Sequence, residues 1–245
     1  MTRQQGRSKA AEVVARLGAL PLHTFEIVAG GRRWSIEAVR DQDALLQSAD
    51  LFAAFPYGLL LWDSAVALAD ELAGLGSLVA MRVLELGAGV GLAGLAARAQ
   101  GAEVVQTDHG PEALELCRRN AARNGLDGII THMGDWDRWD DVSQYDLIIG
   151  SDILYDVAAH APVLAILKRN LKPGGTAILS DPCRPLTPGF VTLLEASLFA
   201  TSQHTRRVAA VHPLQPGHAV DISMIFVRRR SATMGGDVSA AADRG

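Results

Sequence analysis

Apolar runs of strand length alternate with helical patterns along the middle of this chain. The apolar runs lie at 81–86, 103–107, 129–132, 145–150 and 176–180. The helical patterns lie at 90–100, 111–123, 157–170 and 188–199. Because a helix between two strands returns the chain in the same direction, this alternation predicts a parallel sheet with crossover helices. The chain is therefore predicted to be an α/β protein.

Two longer β-type runs follow the alternation. Residues 203–212 and 220–227 are separated by PLQPGHA, which is too short for a helical crossover, so the two runs are predicted to pair as an antiparallel hairpin. A parallel sheet closed in this way has seven strands. It is Rossmann-like, but it differs from the six parallel strands of the dinucleotide-binding fold.

An extension is predicted to precede this sheet, over residues 1–56. A helix is expected from Ser8 to Leu20, followed by a β-hairpin made of HTFEIV and RRWSIEAV. Residues 57–230 are expected to form the main domain, which begins with a helical pattern over 59–73. The last residues, 231–245, are small and without periodicity, so we expect them to be a disordered tail.

Charge and composition exclude several kinds of partner. The chain has 245 residues, enough for one large α/β domain, and its 23 Lys and Arg against 27 Asp and Glu give a net charge of -4. That balance provides no general field to attract nucleic acid or an anionic membrane. The first residues lack the apolar core of a secretory signal, and no run reads as a membrane span. We expect a monomeric cytoplasmic protein.

The cysteines predict neither a metal site nor a disulfide framework. Cys117 and Cys183 are the only two, and they lie far apart without a ligand-like spacing. A reduced compartment and a protein without a bound metal are expected.

A glycine-rich turn, VLELGAGVGLAG, follows the first of the predicted parallel strands. It is not a Walker loop, because no Gly-Lys-Ser/Thr follows the glycines. Gly89, Gly91 and Gly94 do satisfy G-x-G-x-x-G, and Asp108 ends the next strand, where a carboxylate can bind both ribose hydroxyls. These features fit a dinucleotide and S-adenosylmethionine equally well.

Glu85 distinguishes the two ligands at this stage. It lies two residues before Gly87, where a carboxylate would repel the pyrophosphate of a dinucleotide. A sulfonium-bearing amino acid meets no such repulsion. The predicted cofactor is therefore S-adenosyl-L-methionine.

The same turn resembles the first motif of the class I S-adenosylmethionine-dependent methyltransferases, in which an acid and a spacer precede Gly-x-Gly-x-Gly. Residues 85–91 match that motif, and Leu-Lys-Pro-Gly-Gly at 171–175 is similar to the superfamily's turn before its fifth strand. The predicted closing hairpin also resembles the end of that fold. The resemblance covers about residues 80 to 228.

Three further segments resemble the seven-β-strand protein-lysine methyltransferases called methyltransferase family 16. They are GLLLWDSA at 58–65, GDW at 134–136 and SDILY at 151–155. The segment DPCR at 181–184 is similar to the Asp-Pro-Gly-Arg of the branch that methylates lysines on the electron transfer flavoprotein β subunit. The chain departs from these patterns at Cys183, in place of glycine, and at Asp63, where the family usually has proline.

The resemblance implies a set of site residues. Asp152 and Tyr155 would face an incoming amine, with Asp152 orienting it. The cofactor would contact Trp62, Glu85, Gly87, Ala88, Gly89, Asp108, His109, Trp136 and Ser151.

The implied activity is methyl transfer to lysine side chains of a protein, possibly the electron transfer flavoprotein β subunit. Two alternatives stay open. An N-methyltransferase for a small, nicotinamide-like amine would use the same cofactor site, and a non-catalytic sensor of S-adenosylmethionine would need no acceptor residues. Asp152 and Tyr155 argue against the sensor.

Overall fold

A computed structural model describes residues 3–52, 55–197 and 199–230. The predicted disordered tail, 231–245, lies outside the described residues. The strands are β1 (Leu22–Ala29), β2 (Arg32–Val39), β3 (Arg82–Leu86), β4 (Glu103–Asp108), β5 (Ile130–Met133), β6 (Tyr145–Ser151), β7 (Leu171–Asp181), β8 (Phe199–Ala209) and β9 (Ala219–Arg229). The helices are α1 (Arg3–Gly18), α2 (Gln42–Leu46), α3 (Asp63–Gly74), α4 (Leu92–Ala99), α5 (Pro111–Arg123), α6 (His160–Asn170) and α7 (Thr187–Glu195).

The main sheet has seven strands in the order β5-β4-β3-β6-β7-β9-β8. The pairs β4/β5, β3/β4, β3/β6 and β6/β7 are parallel, whereas β9 pairs antiparallel with both β7 and β8. This arrangement confirms the predicted fold class. The chain reverses its direction of strand addition between β3 and β6, so the carboxyl ends of β3, β4 and β6 border a crevice of the kind in which open α/β sheets bind ligands.

Apolar side chains cover both faces of the sheet. One buried cluster joins α3, α4 and α5 to the extension, and it includes Leu17, Trp34 and Leu68. The other joins α6 and α7 to the opposite face, and it includes Tyr145 and Phe190. Because the sheet is covered on both sides, its central strands are apolar along their length, which is why they were visible in the sequence.

The extension has the predicted helix and hairpin, and it is attached to the core through α5. The Asn120 side chain accepts from the backbone N–H of Glu37 at 2.7 Å and donates to its carbonyl at 3.0 Å. Asn124 makes the equivalent pair of bonds to Ser35, at 3.0 and 2.9 Å. These side chains satisfy backbone groups on the outer edge of β2, so the hairpin docks on the helix without a further strand.

The helix predicted over 59–73 begins only at Asp63. Tyr57–Leu59 form a single 3-10 turn, and Leu60 and Trp62 are extended. Leu59, Leu60 and Leu61 are all buried, so the apolar spacing reports burial of the segment and not helix. The difference matters because this segment lies over the crevice.

Among the described residues, no helix has both the length and the apolar character needed to cross a bilayer. In that same part of the chain, no group of three or more His, Cys, Asp or Glu side chains is placed to hold a metal ion.

Candidate active site

A cavity of about 470 Å³ opens at the carboxyl ends of β3, β4 and β6. Every residue predicted for the site lines this cavity, with the exception of Glu85. Its glycine-loop side is formed by residues 87–89, Asp108 and Trp136. Its β6 side is formed by Tyr57, Asp152, Tyr155 and Asp156.

The glycines of the loop are required by its close packing. Gly87 has φ +61°, and a Cβ there would lie 2.8 Å from Ile153 Cγ2 and 3.4 Å from the Trp136 ring. Gly89 has φ +54°, and a Cβ there would lie 3.1 Å from the carbonyl oxygen of Gly58. Both positions need the left-handed conformation and the absence of a side chain. The loop therefore exposes bare backbone to the cavity, as a polar ligand that approaches closely would need.

Asp108 is 6% exposed and is oriented by the backbone around it. It accepts from the N–H groups of Gly89, at 2.9 Å, and Gly110, at 2.8 Å. An ionised carboxylate offers about four lone-pair directions, so two remain for ligand hydroxyls. His109, also predicted for the site, lines the rim with its side chain 76% exposed and its Nδ1 3.6 Å from Asp108 Oδ1.

Trp136 and Trp62 both line the cavity. Trp136 opens a 3-10 turn capped by Asp135, whose side chain accepts from the N–H of Asp137 at 3.1 Å. Trp62 donates its indole N–H to the carbonyl of Tyr57 at 3.0 Å. Trp139, in contrast, does not line the cavity, and it donates to Asn170 at 2.9 Å.

Glu85 does not reach the cavity. Its carboxylate is buried beneath the loop, where it accepts from Gln106 Nε2 at 2.8 Å and from the backbone N–H of Gly94. Burial raises its pKa to about 7, against the hydrogen bonds that lower it. The carboxyl is thus about half protonated near neutral pH, and it lies behind the glycines. For both reasons it would repel a pyrophosphate less than a fully charged carboxylate facing the ligand, which is what the sequence suggested. Its position indicates support of the loop from below.

Asp152 lines the cavity with a backbone φ of +60°. Its N–H donates to the carbonyl of Ser180 at 2.8 Å, which fixes this unusual conformation across the end of the sheet. Its side chain is 8% exposed and forms an ion pair with Arg184 Nη1. Burial raises the pKa of Asp152, and the guanidinium of Arg184 opposes that rise. Neighbouring Ser151 ends β6 and also lines the cavity.

The DPCR motif by itself indicates no role for Arg184, and the structure supplies one. Its Nη1 also lies 3.2 Å from Asp181 Oδ2. Asp181 is fully buried, and its Oδ1 accepts from the Arg184 N–H and the Thr187 hydroxyl, both at 2.7 Å. Cys183, between them, has φ +58°, in the region that favours the glycine of the resembled motif. The turn therefore holds an arginine against Asp152.

Tyr155 and Tyr57 meet at the mouth of the cavity. Their ring centroids are 5.6 Å apart with the planes tilted by 52°. The ring of Phe55 packs on Tyr57, with 4.5 Å between the two ring centroids. Sequence reasoning missed Phe55 and Tyr57. The adjacent Asp156 caps the next turn by accepting from the N–H of Ala158 at 2.9 Å.

The lining of the cavity is acidic and aromatic. It contains no lysine or arginine within the described residues, and His109 is its one basic side chain there. Its carboxylates are those of Asp108, Asp135, Asp137, Asp152 and Asp156. Such a lining attracts a cation and repels a phosphate-bearing ligand.

The strand order and the loop-lined crevice define the class I methyltransferase architecture. Residues 78–223 match the family model described as "Methyltransferase domain", and the chain belongs to this family. The predicted class, an S-adenosylmethionine-dependent methyltransferase, is thereby confirmed.

Curated relatives cover part of the chain. The histone-arginine methyltransferase METTL23 of Xenopus laevis is 37% identical over 107 residues, which are 41% of this chain and 46% of the relative. The protein N-lysine methyltransferase METTL21A of Danio rerio is 37% identical over 133 residues, covering 51% and 60%. The chain thus spans about half the length of the curated relatives it matches.

Solved structures share the fold at low sequence identity. The 16S rRNA N2 G1207 methyltransferase RsmC of T. thermophilus has a TM-score of 0.58 at 18% identity, over 85% of this chain and 51% of that one. A putative RNA methyltransferase of Pyrococcus horikoshii has a TM-score of 0.57 at 17% identity, over 71% and 89%. These likenesses concern the fold alone.

Proposed function

We propose that this chain is an S-adenosylmethionine-dependent N-methyltransferase that acts on lysine side chains of a protein. The observation that carries the proposal is the β6 side of the cavity, where Asp152 and Asp156 lie beside the half-exposed rings of Tyr57 and Tyr155. Carboxylates attract a cationic side chain, and the rings remove water from it. Relatives named as lysine methyltransferases, METTL21A and the EEF1A lysine methyltransferase 3 of Mus musculus, support the same acceptor chemistry.

The glycine-loop side suits the cofactor. Residues 87–89 would present backbone to its amino acid part, Asp108 would accept from the ribose hydroxyls, and Trp136 would lie beside the adenine. Trp62, His109 and Ser151 would complete the contacts. The bound cofactor supplies an electrophilic methyl group on a sulfonium.

The remaining task of the protein is to deliver a neutral amine. A lysine amine has an ordinary pKa of about 10.4, so it arrives as a cation and must lose a proton before it attacks. Asp152 would orient the nitrogen and accommodate the departing proton. Its Arg184 partner keeps the carboxylate fixed, so alignment is set before the acceptor arrives.

Lysine is favoured over arginine because of the same ion pair. One oxygen of Asp152 is already bound to Arg184, whereas a guanidinium acceptor calls for a carboxylate that is free for bidentate contact. A side chain of a macromolecule is favoured over a small amine because the rings at the mouth stay open to solvent, Tyr57 at 43% and Tyr155 at 46% exposure. A small acceptor would need a closed pocket.

Several finer assignments belong to the proposal. The DPCR turn makes the electron transfer flavoprotein β subunit the first acceptor to test. A monomeric state, a cytoplasmic location and the lack of a nucleic-acid partner stay predictions from composition.

The test incubates the purified chain with radiolabelled cofactor and a lysate from methylation-depleted cells, with Asp152→Asn as the inactive control. Acid hydrolysis of the labelled protein fraction then identifies the methylated amino acid. We expect methyl-lysine. Label confined to methylarginine, or to the small-molecule fraction, would overturn the assignment to lysine.

A further inference from the structure

We propose that Tyr57 and Tyr155 form the wall of the acceptor channel and bind the methylated ammonium group by their ring faces, so that the site favours lysines that already carry methyl groups. The inference rests on the proposed function, because it names the substrate class of that same site. Tyr57 is included because of its position in the structure, since no sequence motif indicated it.

The two rings are placed to receive a cation. Their centroids are 5.6 Å apart and their planes are tilted by 52°, so the two rings meet at an angle and do not stack face to face. Both rings line the cavity, and both are close to half exposed. A cation within about 6 Å of a ring centroid is attracted by the ring quadrupole.

The surrounding carboxylates add to this attraction. Burial raises the pKa of Tyr155, and the charges of Asp108, Asp156 and Asp152 add to the rise. The ring therefore lies in the negative field of three aspartates. A cation at the ring would be stabilised by both contributions, whereas a neutral group of the same shape would feel only the apolar contact.

Tyr57 is fixed in place through the glycine loop. Its carbonyl accepts from Trp62 Nε1 at 3.0 Å, and Phe55 packs on its ring at 4.5 Å. The next residue, Gly58, lies against Gly89 and Asp108 so closely that a Cβ would be 3.4 Å from each. The ring is thus held at a defined position relative to the glycine-loop side of the cavity.

This arrangement has a consequence for the products. In each transfer the nitrogen lone pair forms the new N–C bond, the S–C bond breaks with its electrons on sulfur, and an N–H proton leaves before the next round. Each added methyl removes a hydrogen-bond donor and lowers the hydration of the ammonium, while contact with a ring face persists. The wall therefore retains mono- and dimethyl-lysine for further methylation.

The binding test needs no natural acceptor. Calorimetry on the protein saturated with S-adenosylhomocysteine would compare Nε-trimethyl-lysine amide with its neutral tert-butyl isostere. We expect the charged probe to bind at least about tenfold tighter, the discrimination typical of aromatic recognition of quaternary ammonium. Equal binding of the two probes, or no binding of the charged one, would overturn the proposal.

Variants locate the effect. Tyr57→Leu, which removes the π face but keeps an apolar side chain, should weaken binding of the charged probe about tenfold, whereas Tyr57→Phe should retain it. Leu214→Ala, at a position 91% exposed, serves as the matched surface control. Unchanged affinity for S-adenosylhomocysteine in each variant establishes that the fold is intact, and Tyr57→Leu binding as well as wild type would refute the role of the ring.

The outcome is independent of the acceptor search. If the charged probe binds selectively while no methyl-lysine is found in lysate proteins, the proposed function fails and the cation site stands. If methyl-lysine forms but the isosteres bind equally, the wall proposal fails alone.

Discussion

The glycine-loop side of the cavity is built on one contiguous turn that is hydrogen-bonded to the end of the neighbouring strand, whereas the β6 side is assembled from three segments far apart in the chain. Residues 87–89 and Asp108 form the base of the first side, joined directly by the bond from the Gly89 N–H to Asp108, and Trp136 lines it beside them. The second combines residues 55–57, 152–156 and, behind them, Arg184.

This difference determines how freely the residues on each side of the cavity can be substituted. The glycine-loop side is fixed by backbone conformation, since any side chain at Gly87 or Gly89 would meet a neighbour. The β6 side is held largely by side-chain contacts, namely an ion pair and packed rings, together with the backbone bond from Asp152 to Ser180. Substitutions there change the acceptor without disturbing the loop, so one fold accommodates many acceptors.

The largest expected effect tests the glycine-loop side. Asp108→Ala should raise the dissociation constant for S-adenosylhomocysteine by about a hundredfold or more, because each charge-assisted hydrogen bond contributes about 1.5 to 3 kcal/mol. The substitution also removes the acceptor for the N–H groups of Gly89 and Gly110. Calorimetry measures the constant, and circular dichroism checks that the protein is folded. An unchanged constant in a folded variant would show that the ribose contact is elsewhere.

Asp152→Asn tests the β6 side by separating chemistry from binding. Cofactor affinity should stay nearly intact while methyl transfer falls roughly a hundredfold, the loss typical of a positioned acid-base group. Asp140→Asn is the control, because Asp140 lies outside the cavity and its side chain is 81% exposed. If Asp152→Asn kept full turnover while Asp181→Asn abolished it, the acceptor residue would lie in the DPCR turn.

Glu85→Gln should affect stability without affecting cofactor affinity, because the carboxyl lies outside the cavity. Its pKa is about 7 in the folded protein, against an ordinary value of 4.5. The folded state therefore holds a proton more tightly than the unfolded state, and stability falls as pH rises from about 4.5 to about 7, by up to about 3 kcal/mol. Because glutamine does not titrate, Glu85→Gln should remove this decrease of stability with pH. Urea unfolding at several pH values measures it, and parallel pH profiles of the two proteins would contradict the burial of a titrating acid.

The smallest effect concerns the turn behind Asp152. Cys183→Gly should stabilise the protein by about 0.5 to 1 kcal/mol. The left-handed conformation at Cys183 costs a residue with a Cβ about 1 to 2 kcal/mol. Glycine avoids this cost, but it loses more conformational entropy on folding, which offsets part of the gain. Cys183→Ala keeps the Cβ and removes the thiol, so it should bring no gain. Thermal unfolding of the three proteins compares them; equal midpoints for Gly and Ala would show that the turn carries no conformational cost at this position.

The sequence predicted the features that depend on periodicity and local turns. Strand positions, the closing hairpin, the glycine turn and Asp108 are all visible in short segments. The helix start at Asp63 was missed because Leu61 continues the helical spacing of Ala65, Leu68 and Leu72, although the backbone at Leu60 and Trp62 is extended. The roles of Tyr57 and Arg184 were missed because each acts through a partner that only tertiary packing brings near, across 98 residues from Tyr57 to Tyr155 and 32 from Asp152 to Arg184.

The contact between Gly58 and Gly89 makes docking of the leading segment and occupancy of the cofactor site reciprocal. Gly58 precedes a stretch that packs in the same apolar cluster as α1 and β2, while Gly89 lines the side of the cavity where the cofactor is proposed to bind. If docking of the extension raises cofactor affinity by some factor, thermodynamic linkage requires that bound cofactor raise the docking equilibrium constant by the same factor. Bound S-adenosylhomocysteine should therefore slow proteolysis within residues 3–52, far from any atom it touches.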